Sequence, residues 1–136
     1  MTDVLTPQQR SRCMAAIRSK HTKPELAVRE LLRRLRVRYS LHRKTLPGKP
    51  DVIIPKARKA ILVHGCFWHM HRCRYGKVVP ATNAAFWQKK RRGNVARDRQ
   101  KLLELRRAGW GVLVVWECWT RTPERLASRV ASFLRH

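Results

Sequence analysis

The sequence predicts an α/β fold, a mixed sheet flanked by helices, and three observations predict it. Short apolar runs at 51–54 and 60–64 are bounded by prolines and separated by a brief turn. A wholly apolar run at 112–116 follows a long helical pattern, so a helix carries the chain from one strand to the next. Capping signals stand ahead of three further segments. A helical crossover joins parallel strands and a short turn joins antiparallel ones, which makes the sheet mixed.

Taken in order, Thr6-Pro7-Gln8-Gln9 resembles a capping box with proline at the first helical position, and a short basic helix is expected to about Ser19. Its apolar content is thin (Met14, Ala15, Ile17), so residues 1–20 read as a basic arm on one domain spanning 1–136. Thr22-Lys23-Pro24-Glu25 opens a second helix, with Leu26, Leu31, Leu32 and Leu35 as its apolar face. Val37 to Leu41 alternates with charge and reads as a strand, which Leu46-Pro47-Gly48-Lys49-Pro50 breaks. Asp51 to Ile54 is a short strand, Pro55 to Arg58 a turn, and Ala60 to His64 a strand apolar enough to be central. After a loop from Gly76 to Asn83, a long helix is expected from about Ala85 to Arg107, ending at Gly109. Its Gly93 is a weak point, costing about 1 kcal/mol relative to alanine. Val112 to Trp116 belongs in the middle of the sheet, and Thr122-Pro123-Glu124 caps a last helix.

Charge narrows the function. The chain carries 32 Lys and Arg against 8 Asp and Glu, a formal +24. Such a balance points to a polyanion, because phosphates neutralised by cations release their counterions. Basic membrane binders concentrate charge on one amphipathic helix or tail, whereas here it runs the length of the chain. No apolar run approaches a membrane span, and "MTDVLTPQQR" lacks the apolar segment of a signal peptide, so the expected compartment is the cytoplasm. Among so few acids, Glu25, Asp51, Asp98 and Glu117 each call for a reason.

The densest chemistry lies in "HGCFWHMHRC" at 64–73. Cys66, His71 and Cys73 have the spacing C-x4-H-x-C, and zinc favours thiolate and imidazole in a tetrahedron. Cys118 follows the last strand and reaches back as a fourth ligand if the strands ending at His64 and Trp116 are neighbours. His64 and His69 compete with His71 for the imidazole position, and a buried Cys118 thiol with no metal is the rival reading. Cys13, in the arm, is expected to be free.

"LPGKPDVII" puts Asp51 at a strand start. If Ile54 pairs with Ala60, Asp51 sits opposite Val63 and close to His64. A carboxylate, a strand-end carbonyl and an imidazole together can hold Mg²⁺ and keep an acid or base nearby. An aspartate capping the Pro-Gly turn has the same spacing. Glu25 equally suits a capping box, Asp98 in "NVARDRQ" a surface ion pair, and Glu117 either the orientation of a metal ligand or a turn cap.

Taken together, "LPGKPD", "HGCFWHMHRC", "VPATN…FWQKK…GNVARDR" and "GWGVLVVWEC" closely resemble the very-short-patch repair (Vsr) DNA mismatch endonucleases over about residues 6 to 120. The resemblance implies a restriction-endonuclease-like core with a structural zinc site. It implies a strand-specific enzyme that nicks beside the T of a T·G mismatch left by deamination of 5-methylcytosine. By the same resemblance, Asp51 binds Mg²⁺ with the backbone carbonyl of Val63, and His69 is the acid–base residue, supported by His64 and Glu25. Cys66, His71, Cys73 and Cys118 match the zinc ligands. Phe67, Trp68 and Trp87 match the aromatics that enter the DNA stack, and Met14 the residue inserted from the other groove. Asn94 and Asp98 fall in a matching segment of the long helix that faces DNA and the site. The implied partner is double-stranded DNA with a T·G mismatch, bound by a monomer in the bacterial nucleoid, with mismatch-repair proteins as further partners and no membrane. Nucleases of the broader fold carry an acid-x-Lys signature on the strand after the aspartate; Ile61-Leu62-Val63-His64 has neither acid nor lysine, a gap the Vsr pattern shares.

Two other readings fit the residues. A zinc-stabilised DNA-binding module without catalysis makes Asp51 dispensable. A zinc hydrolase with one open metal position loses turnover on zinc removal but not on Mg²⁺ removal.

Overall fold

The computed structural model describes residues 22–43 and 45–136; the expected N-terminal arm, with Cys13 and Met14, lies outside them. Among the described residues the order is α1 (Lys23–Arg34), β1 (Ser40–Leu41), β2 (Val52–Ile54), a 3-10 turn (Pro55–Ala57), β3 (Lys59–His64), α2 (Ala84–Arg107), β4 (Gly111–Trp116), a second 3-10 turn (Glu117–Arg121) and α3 (Pro123–Arg135).

The sheet runs β1-β2-β3-β4 and is mixed. The hairpin neighbours β1/β2 and β2/β3 are antiparallel, and β3/β4, joined through α2, are parallel from Lys59↔Gly111 to His64↔Trp116. The expected crossover logic therefore holds. The hairpin register differs by one residue: Ile53 pairs with Ala60 and Ile54 with Lys59. The turn closes with Arg58 in the left-handed region (φ 53°), which leaves Lys59 free to pair as a strand residue. The strand expected at 37–41 is only Ser40–Leu41.

Alternation sorts the strands into two faces. Val52, Ile54, Ile61 and Val115 form a core with Val28 and Leu32 of α1 and Leu126 and Val130 of α3. Ile53, Ala60, Leu62 and His64 point to the opposite face, toward α2, and all are buried. The site is on that second face, where β3 and β4 end. Among the described residues no helix is long and apolar enough to cross a membrane.

Helix α1 begins as expected, with Glu25 N–H donating to Thr22 Oγ1 at 3.4 Å. Of the expected leucine stripe, Leu32 lies in the core and Leu31 packs against it. Leu26 and Leu35 are exposed, and the buried residues are Glu25, Val28 and Leu32, spaced i, i+3, i+7. A carboxylate thus occupies the first place on a core-facing row, where a capping side chain alone would not need burial.

Candidate active site and metal centre

The parallel pairing His64↔Trp116 brings the chain after β3 and the chain after β4 out of one sheet edge. Two clusters form there.

In the first, Cys66, His71, Cys73 and Cys118 place one sulfur or nitrogen each within 4.8 Å of one another. The Cys118 N–H donates to Cys66 Sγ at 3.3 Å, and Cys118 Sγ lies 3.5 Å from His71 Nδ1. Two ligands on one tetrahedral ion, with Zn–S and Zn–N bonds of ordinary length, would stand roughly 3.6 Å apart. Burial pushes the Cys66 thiol up to about 12 and the Cys118 thiol upward as well. Burial, with Arg125 and Arg72 nearby, lowers His71 and keeps its imidazole neutral, as a ligand must be. The His71 ring is stacked on Trp116 at 4.1 Å. This set could hold a metal ion, whose charge would replace the thiol protons. The loop leaves no room at Gly76, where a Cβ would overlap the His71 backbone.

The loop is fastened to α2 by Arg91, a buried arginine. Its Nε donates to the Phe67 carbonyl at 2.7 Å, one terminal nitrogen to the Val78 carbonyl at 2.8 Å, and the other to the Gly76 carbonyl. The guanidinium also lies over the Phe67 ring, 4.4 Å from its centroid.

The second cluster lines a cavity of about 660 Å³ that takes in Glu25, Asp51, His64, His69, Asp98 and Lys101. Asp51 meets Val63 through its side chain: Oδ2 accepts the Val63 N–H at 2.7 Å. Burial raises the Asp51 pKa, and neighbouring Glu25 raises it further, against the Val63 hydrogen bond, His42 and Lys101. Asp98 sits within the cavity instead of forming the surface ion pair its arginine neighbours suggested. Its Oδ2 accepts from His69 Nδ1 at 2.5 Å, and its Oδ1 is 3.7 Å from His64 Nε2. The His64 and His69 rings are stacked at 4.0 Å. Burial, then the His69 imidazole, lowers the His64 pKa to about 3, against the pull of Asp98, so His64 is neutral at pH 7. Asn94, one turn before Asp98, donates to the Trp68 carbonyl at 3.1 Å. Glu117 also lines the cavity.

The aromatics are packed together. Trp68 and Trp87 are 8% and 9% exposed and meet edge to face at 5.9 Å. Phe67 is half-buried against Trp68. The chain repeats the Phe-Trp doublet at 86–87, and Phe86, not singled out from the sequence, is exposed on the first turn of α2.

Sequence reasoning also missed His42 and Lys101. His42 Nε2 is 3.2 Å from Glu25 Oε1. Lys101 lies three residues after Asp98, so helical spacing from Asp98 was the signal that could have found it. His42 had no such signal, since its place depends on a left-handed backbone (φ 49°) after β1.

Comparison with known proteins adds the following. The family model described as DNA mismatch endonuclease Vsr matches residues 2–75. The "Type II nicking enzyme V.XorIIP" of Xanthomonas oryzae pv. oryzae is 45% identical over 134 residues, covering 98% of each chain. The "Type II nicking enzyme V.NmeAIP" of Neisseria meningitidis is 42% identical over 135 residues, 99% of this chain and 96% of the relative. The "DNA mismatch endonuclease Vsr" of Escherichia coli is 41% identical over 126 residues, 93% of this chain and 80% of that one.

Proposed function

Because the chain belongs to the Vsr family of DNA mismatch endonucleases, we propose that it nicks one strand of duplex DNA beside the T of a T·G mismatch, with Mg²⁺ held at Asp51. Membership makes it an endonuclease, which sets aside the non-catalytic DNA-binding module. The observation that carries the finer reading is the convergence of Glu25, Asp51, His64, His69 and Asp98 on one cavity beside the Cys/His loop. The mixed four-stranded sheet with its three helices supports a restriction-endonuclease-like core, in which the histidines would stand in for the acid-x-Lys pair that β3 lacks.

The donor set fits a hard divalent ion. Asp51 offers a carboxylate, and the Val63 carbonyl leaves β3 on the same side as the N–H that Asp51 accepts. When bound, Mg²⁺ would polarise the scissile phosphate and lower the pKa of a bound water. The chain's own residues do the rest. Asp98 holds His69 through Nδ1, which leaves Nε2 to pass a proton to or from a reacting oxygen. Neutral His64 stacks on the His69 ring and fixes its plane. Lys101 and the surrounding basic surface offset phosphate charge. Cys66, His71, Cys73 and Cys118, three sulfurs and one nitrogen, suit zinc, which would stiffen the loop that carries Phe67 and Trp68 when bound. Phe67, Trp68, Trp87 and, from the arm, Met14 would enter the DNA, with Asn94 and Asp98 behind them. The enzyme acts as a monomer on nucleoid DNA in the cytoplasm, alongside mismatch-repair proteins.

The test is nicking of end-labelled duplexes with T·G or C·G at one position, with and without Mg²⁺, by wild type and Asp51→Asn. Cleavage confined to T·G, to one strand and to Mg²⁺-containing reactions is expected, with Asp51→Asn inactive but still bound to DNA. Equal cleavage of both duplexes, or full activity of Asp51→Asn, would overturn the reading.

A further inference from the structure

The mechanism above leaves His42 unused, although it is one of three residues, with Glu25 and Asp51, whose ligand atoms lie within 4.8 Å of one another. The fold aims it there deliberately. In the β1/β2 pairing Leu41 faces Val52, so the next residue along, His42, comes level with Asp51. Its N–H donates to the Asp51 carbonyl at 3.2 Å. The backbone then turns into the left-handed region at φ 49°, a conformation uncommon outside glycine, and the imidazole enters the cavity with its side chain 16% exposed. The residues it meets are two acids, Glu25 with its side chain only 3% exposed and Asp51 raised by burial and by Glu25. Two crowded carboxylates favour a cation between them. An imidazole among them changes which cation.

We propose that His42, together with Glu25, joins Asp51 and the Val63 carbonyl as a donor to the divalent ion, and that its nitrogen makes this site bind Mn²⁺ in preference to Mg²⁺. This rests on the reading of Asp51 as a metal ligand. Mg²⁺ is satisfied by oxygen and parts reluctantly with its waters, whereas the first-row divalent ions, of which Mn²⁺ is the weakest binder, gain affinity from a nitrogen donor beside carboxylates. The mixed set of two carboxylates and one imidazole therefore separates two ions that an all-oxygen set would hold more evenly. Metal availability decides which ion fills it in the cell.

The experiment is calorimetric titration of Mn²⁺ and of Mg²⁺ into the zinc-loaded full chain, with pulsed EPR of the bound Mn²⁺. Wild type is compared with His42→Asn, which tolerates the left-handed backbone, with His42→Gln, which keeps a polar partner for Glu25, and with Asp51→Asn. Melting temperature and zinc content identify any variant that has not folded, and the other His42 variant then carries the comparison. Both His42 variants should lose on the order of tenfold in Mn²⁺ affinity and much less in Mg²⁺ affinity. The nitrogen hyperfine coupling of wild type should disappear with them. Equal weakening of the two metals, or a nitrogen coupling that survives in both variants, would show that His42 acts only as a partner of Glu25, and the proposal fails. Failure of the underlying reading looks different: Asp51→Asn binds both metals as wild type does.

Discussion

Asp98 and His69 are locked together, carboxylate Oδ2 to imidazole Nδ1 at 2.5 Å, with the second oxygen 3.7 Å from His64. A carboxylate on Nδ1 fixes the tautomer and turns Nε2 toward the cavity. Asp98→Asn preserves the shape and loses that control. Single-turnover nicking should fall about a hundredfold, the low end of what an acid–base group supplies, while T·G affinity stays level or rises because a negative charge has gone. A variant that nicks at the normal rate once bound, but binds T·G duplex poorly, would make Asp98 a DNA contact instead.

The cysteine cluster predicts one tightly held zinc per chain. Cys73→Ala and Cys118→Ala remove one ligand each, and because metal binding is linked to folding they should lower the melting temperature and release the ion. Burial raises Cys66 to about 12 and raises Cys118, so these two thiols stay protonated without metal, whereas at Cys73 burial is outweighed by the Gly76 hydrogen bond and the thiol is lowered; acid should release the metal by protonating its thiolates. Elemental analysis of active enzyme decides; full activity without zinc would end the assignment.

Local pattern made most of the fold legible, and partnership across elements was where it stopped. Breakers and helical spacing marked the three described α-helices, although of their caps only Thr22 bonds through its side chain, and the crossover over α2 implied the parallel β3/β4 pair. The cysteine spacing pointed to a cluster that the β3/β4 register then assembled with Cys118. From its arginine neighbours in sequence Asp98 read as a surface ion pair, and only the family resemblance put it near the site; its spatial neighbours are imidazoles from the end of β3 and the loop that follows. The hairpin register was off by one because a left-handed Arg58 cannot be read from composition. His42 escaped for the same reason, and of the leucine face of α1 Leu31 and Leu32 do pack on the core while Leu26 and Leu35 are exposed.

Arg91 fills a place where charge is expensive and hydrogen bonds are plentiful. Three loop carbonyls depend on it. Arg91→Met keeps the apolar stem and strands those acceptors, each costing about 1–3 kcal/mol when buried without a partner. A loss of about 3 kcal/mol or more in urea unfolding is expected, with Arg91→Lys recovering only part because an ammonium lacks the planar fork. A change within about 0.5 kcal/mol, as at an ordinary surface site, would show that the loop stands without the clamp.

The last prediction separates the aromatic residues of the loop. A ring entering a duplex must offset the unstacking of a base step, a few kcal/mol and least at a mismatch, with about 1–3 kcal/mol of stacking per base. That near balance would favour T·G over paired DNA. Trp68 carries an extra burden: it is 8% exposed and packed on Trp87, so entering DNA means leaving a buried edge-to-face contact worth about 0.5–1.5 kcal/mol beyond its area. Phe67 is half-buried, edge to face with Trp68 at 5.3 Å and beneath the Arg91 guanidinium, so its ring gives up those contacts to enter DNA but leaves the Trp68–Trp87 pair in place. Phe67→Ala should therefore keep zinc and melting temperature while losing roughly 5- to 150-fold in T·G affinity, equivalent to about 1–3 kcal/mol. Binding to fully paired DNA, carried by phosphate contacts, should barely change at the same salt concentration. Trp68→Ala should lose T·G affinity and also melt lower, by the cavity it leaves beside Trp87. If Phe67→Ala weakens both duplexes equally, its ring is not a wedge. If Trp68→Ala melts lower yet discriminates T·G as well as wild type, Trp68 belongs to the packing of the loop alone.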